Sequence, residues 1–144
     1  MHRARHILLR VATALIFLYP CWLGMEATHE LGHVLMAWRT GGEIESVSVP
    51  LIGTSQTIVE PNPFSRVVAW GGVQWGTMIP IFACMLALIF RRRVPEPLKF
   101  FTGFCLIANG TYLAVGTMWR VGDARDLLRM NVHPAELISV GAAQ

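Results

Sequence analysis

Charge is scarce in this 144-residue chain. Asp, Glu, Lys and Arg make up 15% of it, against a hydrophobic share of 53% and a mean hydropathy of +0.48. That balance departs from a soluble average and points to an integral membrane protein, while the length suits one domain. Cysteine is sparse too. Cys21, Cys84 and Cys105 form no C-x-x-C pair and each lies in an apolar segment, which argues against a disulfide framework or a thiolate zinc site and leaves packing as their use. No basic-aromatic platform or nucleic-acid motif accompanies the net charge of +3, so nucleic acid is not an expected partner. The arginines cluster beside apolar runs, where anionic lipid headgroups would meet them. Nothing repeats internally, and no segment is low in complexity. The apolar run over residues 11–25, preceded by Arg3, Arg5 and Arg10, has no small-residue cleavage site after it, and Leu18-Tyr19-Pro20 before Cys21 lacks the small residues of a lipoprotein signal. A retained membrane span is expected.

What is present predicts a mainly α, multi-pass membrane domain over 1–144, with the lipid bilayer as its partner and the cell membrane as its expected location. Three spans are expected, at about 7–38, 67–90 and 98–119. The first exceeds the roughly 20 residues that a bilayer needs, so it must tilt, kink near Pro20, or emerge at its far end. Gly41-Gly42 ends it by helix-capping logic. Residues 43–60 then change texture. Val47, Val49 and Leu51 alternate with Ser46, Ser48 and Pro50, Gly53-Thr54 offers a turn, and a small β-hairpin follows from the pattern. Gly24, Thr28 and Gly32 on the first span, and Gly72 and Gly76 on the second, form small-residue faces suited to close helix contact. Gln74 is a polar group at membrane depth, fit for interhelical hydrogen bonding or for steadying a substrate carbonyl. A short C-terminal helix is expected over 124–130, with Asn131 to Pro134 as its stop.

The chemistry centres on His29-Glu30-Leu31-Gly32-His33, an H-E-x-x-H sequence inside an otherwise apolar run. Residues four apart lie one above the other on a helix, so His29 and His33 can share a metal ion while Glu30 reaches a water on it. The plainer reading is a helix whose two histidines and glutamate find hydrogen-bond partners without a metal. Glu26, one turn earlier, can orient an imidazole, share a proton or serve as a structural hydrogen-bonding group. If the spans run up, down and up, Asp123 reaches the depth of the histidines, which makes it the best-placed third ligand. Gly122-Asp123-Ala124-Arg125-Asp126 reads equally as the N-cap of a short helix. Asp126, His133 and Glu136 are the fallback ligands.

In this order the motifs resemble those of the site-2 protease family of intramembrane zinc metalloproteases: the H-E-x-x-H at the end of a membrane helix, the glycine pair and hairpin, the glycine-rich second span and the late Gly122-Asp123. The resemblance covers most of the chain, and its sharp part is the first motif. It implies zinc held by His29, His33 and Asp123, water activated by Glu30, and a membrane-protein substrate cut at a transmembrane or juxtamembrane peptide bond. The chain departs from the family in lacking the asparagine-proline-aspartate-glycine segment. Asn109 precedes Asp123 by fourteen residues, about 21 Å on a straight helix, so the two could not meet at one metal without a break. Orientation also divides the indicators. The arginines at the N-terminus and in the 91–99 loop place the N-terminus in the cytosol and the metal end outside, whereas the resemblance implies a metal end facing the cytosol. The rival expectation is a non-catalytic metal-binding or scaffolding membrane protein. A metal transporter fits less well, because only one helix carries clustered ligands.

Overall fold

A computed structural model describes residues 2–144, with side chains from Arg5 onward; Arg3, of the amino-terminal arginine group, lies outside the described side chains. Three long helices dominate: α1 (His2–Thr40), α2 (Ser65–Arg91) and α3 (Glu96–Trp119). Each is long and apolar enough to cross a membrane. They overlap the expected spans and extend them by a few residues at most ends. At 39 residues α1 is about 58 Å long by helical rise, well beyond a hydrocarbon core of about 30 Å, and its helical assignment continues through Pro20.

Between α1 and α2 lies the hairpin of β1 (Ile44–Ser48) and β2 (Gln56–Val59), antiparallel, with Ser46 opposite Ile58 and Ser48 opposite Gln56. Its alternation does not separate a core face from a solvent face, since every residue of β1 is exposed. Side chains tether the hairpin instead. The Tyr19 hydroxyl donates to the Leu51 carbonyl at 2.7 Å, drawing the loop between the strands back along α1 to a level about 15 Å below His29 by helical rise.

α3 ends at Trp119, and its cap residue Arg120 turns the backbone left-handed, with φ at 55°. The chain reverses into α4 (Gly122–Arg129), and α5 (Pro134–Ala143) follows. The sequence reading anticipated α4 and the stop after it but not α5. Pro134 opens α5 with its preset φ, and the His133 side chain caps it by accepting from the Ala135 N–H at 3.2 Å. Close backbone approach at Gly110 and Gly141 then seats α5 on α3. Val73, Leu113, Ala124, Leu127, Val132 and Leu137 form a core joining α2 to α5, all at the end of the bundle that carries the histidines.

Candidate metal centre

Glu26, His29, Glu30 and His33 fall three or four residues apart and share one face of α1, and all four are buried. An apolar helix tolerates this only if neighbouring elements supply partners. α2 is the nearest of them. The backbones of Gly32 and Gly71 touch, and Gly72 lies against both imidazoles, so that a Cβ there would fall on Nε2 of His29 and of His33. The small-residue face of α2 is thus divided: Gly71 meets α1, Gly72 makes room for the histidines, and Gly76 faces Asn109.

The two rings are fixed from behind. His29 Nδ1 lies 2.7 Å from Asn109 Oδ1, and the Asn109 amide is oriented by its own donation to the Cys105 carbonyl at 2.9 Å. His33 Nδ1 lies 2.8 Å from the Val68 carbonyl. Each Nδ1 faces an acceptor and therefore carries its proton, which leaves the Nε2 lone pairs directed at the site. Asp123 Oδ2 meets them there, 2.9 Å from His29 Nε2 and 3.4 Å from His33 Nε2. Three acceptors converging at such distances need protons or a cation between them. Burial opposes ionisation of Asp123, but without an ion protons must lie between Oδ2 and the Nε2 atoms, and the hydrogen bonds they make outweigh burial and hold the carboxyl well below the usual carboxylate range. Stability from this contact is therefore present above the ordinary carboxylate pKa and is lost as pH falls through the lower folded value.

The break after α3 makes this arrangement possible. Arg120 and Gly122 both have φ near +55°, and the reversal brings Asp123 back beside residues that a straight helix would have left behind. Tyr112 steadies it, its hydroxyl accepting from the Asp123 N–H at 3.3 Å while its ring meets His29 edge-on. Asp123 is in the first turn of α4, whose cap position is Val121, and no side chain caps that helix. The N-cap reading of Asp123 is thereby replaced. The straight-helix separation of Asn109 from Asp123 also fails, since the two face opposite nitrogens of a single ring.

Glu30 is held by the hairpin. Ser55 Oγ donates to Oε1 and Thr57 Oγ1 to Oε2, each at 2.6 Å. Neither hydroxyl was singled out from the sequence, although residues two apart in extended chain share a face, and that spacing was the available signal. Two carboxylates are candidates for the place beside the histidines. His29, Glu30 and His33 offer ligating atoms within 4.8 Å of one another and form a group that could hold a metal ion. Glu30 has both oxygens engaged by hydroxyls, whereas Asp123 Oδ2 touches both rings, so direct approach favours Asp123.

The other candidates lie elsewhere. Asp126 pairs with Arg125 and Arg129, His133 caps α5, and Glu136 is exposed in the first turn of α5. Gln74 is exposed on α2 and has no part in the site. Glu26 does not orient His29, whose Nδ1 belongs to Asn109; it lines the site with Oε2 unpartnered among the described residues. A cavity of about 880 Å³ opens over His29, Glu30 and Asp123, walled by Trp22, Ser55 and Tyr112 among others. In comparisons with family models, curated proteins and solved structures, the chain matches none.

Proposed function

We propose that this chain is an intramembrane zinc metalloendopeptidase that cuts a transmembrane or juxtamembrane peptide bond of a membrane-protein substrate in the cell membrane. The observation that carries the reading is the convergence of His29 Nε2, His33 Nε2 and Asp123 Oδ2, with both Nδ1 atoms committed to carbonyl oxygens behind the rings. Two imidazoles and a carboxylate are a catalytic zinc donor set. Ligands about 2.0–2.1 Å from a tetrahedral ion stand roughly 3.3 Å apart, close to the 3.4 Å between His33 and Asp123. When bound, zinc would polarise the scissile carbonyl and acidify a water.

The protein's own residues would do the rest. Glu30 accepts the proton of the attacking water and passes it to the leaving amine. Its two short hydrogen bonds leave each carboxylate oxygen a further lone pair for this work. Asn109 and the Val68 carbonyl keep the rings in the ligating tautomer. Three long apolar helices would supply the bilayer setting, and the imidazoles and carboxylates lining the cavity would admit water where lipid would exclude it. The order of motifs resembling the site-2 protease family supports the same reading.

A second reading, a non-catalytic metal-binding or scaffolding protein, gains support from one contact: both oxygens of Glu30 are already engaged by Ser55 and Thr57. Purified wild type and Glu30→Gln, compared on a membrane-tethered substrate with zinc content measured in parallel, separate the two. Cleavage that disappears in Glu30→Gln while zinc remains supports the protease. Zinc without cleavage in wild type supports the second reading, and absence of zinc overturns both metal-binding readings.

A further inference from the structure

Glu26 is the one buried carboxylate at the site that the mechanism leaves unused. It retains 6% of its exposure, and its Oε2 has no hydrogen-bond partner among the described residues. A buried carboxylate oxygen without a partner is costly, and more so if the group is charged. Ser55, whose hydroxyl serves Glu30, lines the same cavity as Glu26. Asn62 Oδ1, on the same cavity wall, is a second buried acceptor without a partner. Both residues line the cavity, and an occupant bringing N–H donors, met by a small movement of either side chain, would give these oxygens the partners they lack.

Charge points the same way. Glu26, Glu30 and Asp123 line the cavity, and a bound dication would offset two of those three carboxylates; Asp126, also lining it, is already paired with Arg125 and Arg129. We infer that Glu26, in the cavity that Asn62 also lines, is a specificity pocket for a basic side chain of the substrate, a lysine or arginine close to the scissile bond. This inference rests on the protease reading. Glu26 precedes Glu30 by four residues, about 6 Å along α1, and an extended peptide advances about 3.3 Å per residue. The basic residue therefore lies within two positions of the cut. A cation at membrane depth is expensive without a counter-ion, so Glu26 also lowers the cost of bringing such a segment to the site.

The test uses the full-length zinc-loaded protein and membrane-tethered substrates that differ at a single position, arginine against glutamine, at each of two residues on either side of the cut. At one of those positions wild type should favour arginine by about ten-fold or more in kcat/KM, the size expected of a charged hydrogen bond. In Glu26→Gln the ratio should fall to about one, and Glu26→Asp should retain part of it. Glu136→Gln, exposed on α5, should keep it in full. No arginine preference in wild type, or one that survives Glu26→Gln, overturns the inference. If wild type cleaves no substrate, the protease reading fails by itself, and the pocket is then read by binding. A short arginine peptide should bind wild type about ten-fold more tightly than its citrulline counterpart, and Glu26→Gln should erase that difference. Equal affinities for the two peptides in wild type would overturn the pocket.

Discussion

The two halves of α1 live in different surroundings. From residue 7 to residue 19 its large apolar side chains are exposed on all sides, whereas from Glu26 to His33 four ionisable groups are buried within two turns. The first half needs no protein neighbour, since its helix satisfies its own backbone and lipid can meet its side chains. The second half needs many, and they come from four other elements of the fold: Gly71 and Gly72 on α2, Asn109 on α3, Asp123 on α4, and Ser55 and Thr57 from the hairpin. Burial of polar groups here depends on tertiary partners rather than on local sequence.

The contrast can be broken in graded steps. Glu30→Gln should have the largest effect, lowering cleavage of a membrane-tethered substrate by about 10²–10⁴-fold while zinc content stays at the wild-type level. His29→Ala, His33→Ala and Asp123→Ala should each lose zinc from the purified protein, measured by elemental analysis. Retention of a full equivalent in Asp123→Ala would return the third place to Glu30. Gly72→Ala should come next, because its new Cβ would fall on both Nε2 atoms; reduced zinc occupancy and a destabilisation of about 1–3 kcal/mol are expected, read by thermal unfolding in detergent. Asn109→Ala removes only the support behind one ring and should weaken zinc by about 10–100-fold in competition with a chelator. Leu15→Ala, on the exposed half of α1, should change stability by no more than about 0.5 kcal/mol and leave zinc untouched.

Much of the architecture was legible because it follows from composition. Three apolar runs became three long helices, and the Val/Ser alternation after Gly42 became the hairpin. The pairing of His29 with His33 was legible for a local reason, since helical spacing alone puts them on one face. What was hidden depends on chain reversal. A straight helix sets Asn109 and Asp123 far apart, and the turn that reunites them uses Arg120 and Gly122 at positive φ, of which only the glycine gives a turn signal. Ser55 and Thr57 were hidden for a related reason, because their use becomes visible only once the hairpin folds back onto α1. Gln74 misled because polarity at membrane depth does not say which way a side chain points.

His29 clasps α3 with one nitrogen and α4 with the other, and under the proposed metal centre this would tie ion occupancy to the order of the carboxyl-terminal region. Binding at the Nε2 side and docking of residues 122–143 then become linked equilibria, each favouring the other by the same free energy. A chelator should act on this protein as a local denaturant, exposing α4 and α5 to protease while leaving the distant half of α1 as it was.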